Sequence, residues 1–379
     1  MTQTFPKPVV FEARNDALNL FRRDHAIARH IDAYEEFLEE LFLIRNPHFR
    51  FAPDHAEAYA QWSQNISPEL AEGMWAYFPW SETVMRVLPE KEHLELRTSR
   101  NKNLITREEQ ERFYNARVAV AGLSVGSHGA LTLALMGGAR TLHLADPDII
   151  SGSNLNRIRY DYTAIGRKKT HVAAEYIYQL DPYANLEVFD EGVSAKNIHE
   201  FLGGKQAVDV LVEELDNLEM KIRLRLAARG RGIPVVMATD NGDGIIVDIE
   251  RYDLDPHTEL FNGALGAISI EEFQTFTPAD LPKLATKVAG ADLVVPRMLL
   301  SLKEVGKTLY SWPQLGGAAT LSGVAIAYCV RKIVLGEPLA NGKLEINLDS
   351  IFDPTYFYEE SQRSREETRA AFKRAVGLS

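Results

Sequence analysis

The sequence predicts an α/β protein built on a doubly wound, mainly parallel sheet, with a helical region at its amino-terminal end. Three observations predict it. The run Arg117-Val-Ala-Val-Ala-Gly122-Leu-Ser124-Val-Gly126-Ser-His-Gly129 carries an apolar strand into a glycine-rich turn and on into a helix. From Arg117 onward, short apolar runs alternate with helix-length segments, as parallel strands joined by helical crossovers require. Ahead of them, apolar residues at Leu18, Leu20, Phe21, Ile27, Ile31, Tyr34, Phe37, Leu38, Leu41 and Phe42 recur at close to helical spacing until Asn46-Pro47 stops them.

Each element has a local reason. The first helical pattern covers 15–46, and Ser67-Pro68-Glu69 starts a second helix, with serine as cap and proline at the first helical position. Trp62, Trp75 and Trp80 fall in the same region; they read as a small core or, alternatively, as part of a module that binds a peptide partner. A strand at 118–121 leads to a helix at 127–136, and a strand at 141–145 to a helix at 168–180. Strands at 186–189 and 208–212 follow, then a helix at 217–228 and strands at 234–238 and 245–249. Residues 253–310, rich in proline, glycine and threonine, are expected to cross over the active face. A helix of small residues at 316–335 should return to the sheet, and the charged stretch 359–374 reads as an exposed amphipathic helix. The expected division is a helical region at 1–95, an α/β domain at 96–350 and a helical tail at 351–379.

Composition narrows the function classes. Hydrophobic residues make up 45% and charged residues 25%, as in an ordinary globular chain. A net charge of −11, from 42 basic and 53 acidic residues, argues against nucleic acid as the main partner. Met1-Thr-Gln-Thr-Phe-Pro lacks the basic start and apolar core of a signal peptide, and no apolar run is read as reaching the ~20 residues of a membrane helix. The expectation is a cytoplasmic protein without a membrane partner. The single cysteine, Cys329, excludes an internal disulfide and a multi-cysteine zinc site, and its apolar helical surroundings mark it as an unreactive core thiol.

The residues with chemistry in them sit where a sheet of this kind binds a nucleotide. Glycines at 122 and 126 let the backbone approach phosphate, with Ser124 between them, and the helix that follows presents its N-terminus to an anion. Asp146 closes the second strand 24 residues after Gly122, close to the spacing of an acid that meets ribose hydroxyls. Asn156 and Arg157 follow that strand, Lys169 opens the next helix, and Asp216 lies just past the fourth strand. Arg157 and Lys169 could neutralise a triphosphate, and Asp216 could hold Mg2+ through its oxygens. Plainer readings stand beside these: Asp216 as the N-cap of the next helix, Lys169 and Arg157 as solvated cations, and His128 in the glycine turn as a structural residue.

These motifs resemble the ThiF/MoeB/HesA group, the bacterial relatives of ubiquitin-activating enzymes. The resemblance rests on Asp146-Pro-Asp148, Ser153-Asn-Leu-Asn156-Arg157, Gly166-Arg-Lys-Lys169, Asp216-Asn217, an Arg97-Thr-Ser-Arg100 ahead of them and Gly336-Glu-Pro-Leu339 behind. It spans residues 95 to 350 and implies a Rossmann-like adenylation domain that uses ATP and Mg2+ to activate a carboxylate, often the C-terminus of a small protein or peptide. It implies that Gly122, Ser124, Gly126 and Asp146 bind the nucleotide, with Asp146 on the ribose. Asn156, Arg157 and Lys169 would contact the phosphates and Asp216 the magnesium. Arg100, with Arg97 beside it in the motif, would reach the triphosphate of the other subunit of a homodimer.

Departures from the family pattern are specific. Ile158 replaces a usual glutamine, Leu123 and Ser124 stand where glycines are common, and Lys221 takes the place of a usual arginine. Residues 253–310 contain no cysteine, so transfer to an enzyme thiol is not expected and the acyl group would go to an external acceptor. Sulfur-carrier proteins, ribosomal peptide precursors and modified tRNA nucleosides are the open carboxylate classes. A nicotinamide- or flavin-dependent oxidoreductase, or a non-catalytic scaffold of the same fold, are the alternative readings.

Overall fold

A computed structural model describes residues 5–14, 16–277 and 280–378. Residues 1–4, where the reading of the amino terminus falls, and Asn15, where the first helical pattern begins, lie outside the described residues. The chain forms two compact units. One consists of Met1–Tyr114, Ala134–Arg140 and Glu175–Asn185, the other of Asn115–Leu133, Thr141–Ala174 and Leu186–Ser379.

The first unit is not purely helical. It holds a four-stranded sheet in the order β1-β3-β4-β2, formed by β1 (Val9–Glu12), β2 (Arg29–Ile31), β3 (Met74–Phe78) and β4 (Thr83–Val87). β3 pairs antiparallel with β1 and β4, while β2 runs parallel to β4. Trp75, Tyr77 and Val84 pack on one face, and Ala76, Phe78 and Val87 on the other. Because both faces of the central strand β3 are covered, it lacks the apolar–polar alternation that identifies a half-exposed strand, and β1 and β2 are only four and three residues long. The helices Tyr34–Arg45 and Pro68–Glu72 lie where helices were expected, the latter capped by Ser67, whose side chain accepts from the Leu70 amide, and a further helix, His55–Ser63, lies between them. The pattern read as one helix over 15–46 is therefore a short helix at Ala17–Phe21, strand β2 and then Tyr34–Arg45.

This unit extends past residue 95. The helix Arg107–Tyr114 buries Phe113 against Gly138, where an added Cβ would come within 2.2 Å of the ring. The backbone amides of Ala139 and Arg140 bond the carbonyls of Phe113 and Tyr114 at 2.8 and 2.7 Å. Arg97 is drawn inward, with Nη1 3.5 Å from Asp181 and Nη2 donating to the Ala134 carbonyl at 2.5 Å. His93 lies against the same carboxylate, 3.9 Å away.

The second unit carries a seven-stranded sheet in the order β11-β10-β9-β8-β5-β6-β7. Its strands are β5 (Arg117–Ala121), β6 (Thr141–Ala145), β7 (Asn185–Phe189), β8 (Val210–Glu213), β9 (Val235–Asn241), β10 (Gly244–Glu250) and β11 (Gly342–Ile346). β5 pairs parallel with β6 and with β8, and β8 with β9; β10 turns back antiparallel and pairs with β9 and β11. The central strands are continuous runs of small and β-branched apolar residues because helices cover both faces. The chain leaves β5 toward β6 on one side and later returns to β8 on the other. That reversal opens a crevice at the carboxyl ends of the strands, where open α/β sheets bind ligands.

The helix Gly316–Leu335 corrects one expectation. Its 20 residues, at a mean hydropathy of 1.5, are long and apolar enough to cross a membrane, contrary to the sequence reading that no run reached that length. In the structure 61% of its most apolar window is buried within the protein. Gly323 meets His128, where an added Cβ would lie 2.5 Å from the His128 Cβ, and Gly129 meets Ile326 at 2.8 Å by the same measure. Small residues thus allow two helices to approach closely, so its apolar character belongs to a core helix.

Beneath the sheet's far half lies a buried ionic network. Arg225, on the helix Leu218–Arg229, donates to Glu213 at the end of β8 and to Glu250 at the end of β10, the latter at 2.6 Å. Burial pushes the Glu213 carboxyl up, but Lys221 and Arg225 outweigh it and hold the group below its usual range. Glu250 also accepts the Tyr252 hydroxyl at 2.5 Å and the Phe261 amide at 2.7 Å. Phe261, at φ 53, stacks its ring 4.0 Å from the Arg225 guanidinium. A left-handed backbone at a bulky residue is disfavoured, and this network holds it there.

Two outcomes follow. Arg225→Ala leaves the buried Glu250 without an ion-pair partner and Glu213 with Lys221 alone, and should lower unfolding free energy by about 3–5 kcal/mol in urea titrations. For His93, burial lowers the pKa from 6.5 to about 4 despite the Asp181 carboxylate. Its folded value lies below its unfolded one, so its contribution is present above pH 6.5 and lost as pH falls toward 4. A His93→Gln variant should show a flatter dependence of Tm on pH across that window; an unchanged slope would refute the assignment.

Candidate functional site

The site begins where β5 ends. Gly122 has φ +89, its amide donates to the Ala145 carbonyl at 2.8 Å, and an added Cβ would come within 2.4 Å of the Glu214 carbonyl oxygen. Only glycine fits there, because the loop threads between the ends of β6 and β8. The next amide, Leu123, donates to Asp146 Oδ2 at 2.7 Å, and Asp146 Oδ1 accepts the Asp148 amide at 2.8 Å. Asp146 is only 4% exposed, so in this structure its carboxylate first of all fixes the glycine loop.

Lys169 completes that corner. Its buried ammonium lies 2.8 Å from Asp148 Oδ2 and 3.5 Å from Asp146 Oδ2, at the start of the helix Lys169–Leu180. A cation at a helix N-terminus opposes the helix dipole, and the two carboxylates offset it. Asp148, largely exposed, belongs to the Asp146-Pro-Asp148 motif, to whose second acid the sequence reading assigns no role.

Arg157 reaches the loop from the other side. Its Nε donates to Ser124 Oγ at 3.2 Å, and its Nη1 donates to the Ser153 carbonyl and to Asn156 Oδ1, both at 3.0 Å. Its own carbonyl accepts the Nε2–H of His128, which makes His128 structural, as expected. Burial lowers the guanidinium's pKa, and the carboxylates of Asp240 and Asp216 push it back up. Asn156 Nδ2 donates to the Gln314 carbonyl at 2.8 Å. At Gly316 an added Cβ would come within 2.5 Å of the Asn156 carbonyl oxygen, so the start of the last core helix packs directly on the Asn156-Arg157 segment.

Asp216 stands exposed beyond β8. It is not the cap of the next helix: Asn217 is, its Oδ1 accepting the Met220 amide at 2.9 Å. Lys221, in the position of a usual family arginine, turns instead to Glu213 at 3.1 Å. Gly126 sits at ordinary to tight distance from Val120 and Glu214, 3.0 and 3.4 Å for an added Cβ. Sequence reasoning missed Asp240, at the carboxyl end of β9, together with its partners Gln314 and Ser322. The available signal was the same as for Asp146, an acid at the end of a strand.

The structure therefore brings Gly122, Ser124, Gly126, Asp146, Asn156, Arg157, Lys169 and Asp216 to one rim of the second unit's sheet. Arg100 lies exposed on the turn Ser99–Asn101 of the first unit, while Arg97 is half-buried and turned onto Asp181 and the Ala134 carbonyl. Among the described residues no three His, Cys, Asp or Glu side chains are grouped to hold a metal ion, so a cation here would need oxygens from a bound phosphate beside Asp216.

Residues 98–298 match the ThiF family, more than half of the 379 residues. The chain belongs to the ThiF family. An uncharacterized protein of Mycobacterium tuberculosis (strain CDC 1551 / Oshkosh) is 40% identical over 288 residues, 76% of this chain and 40% of that protein. The SAMP-activating enzyme E1 of Haloferax volcanii is 31% identical over 132 residues, 34% of this chain and 47% of that enzyme. This chain thus spans less than half the length of either relative. The crystal structure of the Escherichia coli tRNA N6-threonylcarbamoyladenosine dehydratase in complex with AMP aligns with 64% of this chain and 95% of its own, at 19% identity and a TM-score of 0.46.

Cys329 is buried, and burial pushes its thiol up to about 11. Iodoacetamide at pH 7.5 should leave native protein almost unmodified by mass spectrometry and should label it fully in urea, because only the thiolate reacts. Stoichiometric labelling of the folded chain within minutes at that pH would contradict the burial.

Proposed function

We propose that the second unit catalyses ATP- and Mg2+-dependent adenylation of a carboxylate, the C-terminus of a small protein or peptide. The observation that carries this reading is the position of Arg157. Its guanidinium bonds the glycine-loop hydroxyl of Ser124, lies beside Asn156 and sits in the fields of Asp216 and Asp240. A dinucleotide oxidoreductase has no use for that cation next to a metal-binding carboxylate; cleavage of a phosphate chain uses both.

In this reading the loop amides from Ser124 to Gly126 face the phosphates, while those of Gly122 and Leu123 hold the loop to Ala145 and Asp146, and Asp146 meets the ribose with lone pairs not used by Leu123 and Asp148. Lys169, released in part from Asp148, and Arg157 hold the phosphate oxygens and stabilise charge as it develops. Mg2+ at Asp216 would neutralise the departing pyrophosphate. A carboxylate oxygen attacks the α-phosphorus in line, a new P–O bond forms, and the bond to the bridging oxygen breaks to release pyrophosphate. With Cys329 buried, the acyl-adenylate passes to an external nucleophile rather than to an enzyme thiol.

The name of the Haloferax volcanii relative, a SAMP-activating enzyme, supports an activation reaction. We further assign the first unit to recognition of that substrate, Arg100 to the triphosphate of a second copy in a homodimer, and the enzyme to the cytoplasm. ATP–pyrophosphate exchange tests the core of the reading. Exchange should depend on added carboxylate substrate, and Arg157→Ala and Asp216→Ala should each lower kcat/KM by about 10²- to 10³-fold, the scale of losing a transition-state charge contact. Tight binding of reduced nicotinamide with no affinity for ATP would overturn it.

A further inference from the structure

Asp240 is the penultimate residue of β9 and is 4% exposed, yet nothing in the family pattern of the sequence pointed to it. Its two oxygens have separate partners. Oδ1 accepts the hydroxyl of Ser322, on the helix Gly316–Leu335, at 3.0 Å, and Oδ2 accepts the side-chain amide of Gln314 at 3.2 Å. The backbone carbonyl of Gln314 in turn accepts Asn156 Nδ2 at 2.8 Å, and Asn156 Oδ1 accepts Arg157 Nη1 at 3.0 Å. Arg157 Nε closes the path on Ser124 of the glycine loop at 3.2 Å. A continuous line of hydrogen bonds thus runs from the end of β9, through the segment that leads into the last core helix, to the phosphate-facing loop.

The chemistry of this line is directional. Asn156 has both ends of its amide in use, so its rotamer is set by the Gln314 carbonyl, and Arg157 loses one of its three side-chain contacts if Asn156 turns. The Gln314 carbonyl is placed by the Gln314 side chain, which reaches back to Asp240. Gly316 allows the approach, since any side chain there would strike the Asn156 carbonyl. Burial also pushes the Asp240 carboxyl above its ordinary range, while Ser322, Gln314 and Arg157 pull it down, as expected of a group surrounded by donors in a poorly solvated place.

We propose that Asp240 is a positioning residue of the adenylation site: by holding Gln314 and Ser322 it locks the segment before the last core helix onto Asn156, and so sets Arg157 at the glycine loop. The proposal rests on the reading of Arg157 as a phosphate ligand. It names a residue that touches neither nucleotide nor carboxylate substrate and acts through two intermediaries more than 70 positions away.

The test uses the full chain and two independent measurements, calorimetric affinity for Mg-ATP and hydrogen exchange of the backbone at 311–318. Asp240→Ala should weaken ATP binding about tenfold, the scale of losing an ordered charged hydrogen-bond partner. It should raise the KM for ATP more than it lowers kcat, and it should speed exchange at 311–318 while leaving β5 and β6 protected. Gln314→Ala should act in the same direction. Asp240→Asn should recover most of the affinity, because its amide oxygen still accepts Ser322 and its NH2 can donate to the Gln314 side-chain oxygen after that amide flips.

Outcomes that overturn the proposal are distinct from those that overturn the adenylation reading. If wild type binds ATP but Asp240→Ala leaves both affinity and exchange unchanged, the locking role is wrong. If affinity falls in Asp240→Ala with no change in exchange, and Asn does not restore it, Asp240 acts on Arg157 by charge alone and the locking role is again wrong. If wild type binds no ATP while Asp240→Ala still frees 311–318 and Asp240→Asn protects it, the lock stands and the nucleotide assignment falls.

Discussion

At Gly122 the chain passes so close to the Glu214 carbonyl that a single methyl group would lie 2.4 Å from it, and the rest of the site depends on that approach. It brings the turn after β5 between the ends of its two parallel neighbours. The Leu123 amide then falls on Asp146 at the end of β6, and Asp146 with Asp148 holds Lys169. A Cβ at position 122 would push the turn outward and separate the loop from the carboxylate that organises it. Leu123 and Ser124, where family members often carry glycine, do not widen the turn: Leu123 is fully buried, and Ser124 supplies the hydroxyl that Arg157 bonds.

Next to the loop, at the end of β8, a different kind of force acts. Arg225, Glu213 and Glu250 are fully buried charges, and their mutual attraction offsets a large desolvation penalty only because every member is paired. Such a network adds little net stability over an apolar core, but it tolerates only one arrangement. It fixes Phe261 and Asn262 in left-handed backbone and so determines where the irregular stretch after β10 sets out. Asn262 and Lys343 both bond Asp248, which ties that stretch to the antiparallel edge of the sheet. The glycine loop is thus built from hydrogen bonds at a solvent-facing rim, and its support from ion pairs in the interior.

The two arginines of the Arg97-Thr-Ser-Arg100 motif have separated in role. Arg97 lies half-buried beside Asp181 and caps the Ala134 carbonyl, where desolvation lowers its pKa and the carboxylate partly restores it. Arg100 is exposed three residues later, on a short turn that carries it away from that pocket. Spacing alone treats both as candidates; the depth of the neighbouring carboxylate decides between them.

What the chain determined by itself are the features set by neighbours in sequence: the strand–glycine–helix turn, the acid ending β6, the lysine opening the next helix and the alternation that makes a parallel sheet. Each follows from local backbone geometry or from periodicity, so the fold of the second unit and most of its rim were legible from residue order. The four-stranded sheet of the first unit was not, because Trp75 to Phe78 are covered on both faces and lose the alternation that marks a strand, and its edge strands are only three and four residues long. Asp240 was equally hidden: Gln314 and Ser322, which give it a purpose, lie 74 and 82 residues on, and Asn156 meets Gln314 across 158. Tertiary structure alone decided that Asp146 serves the loop, that Arg97 is structural and that the most apolar helix belongs to the core. In each case the deciding quantity is burial beside a particular partner, which spacing in the chain does not encode.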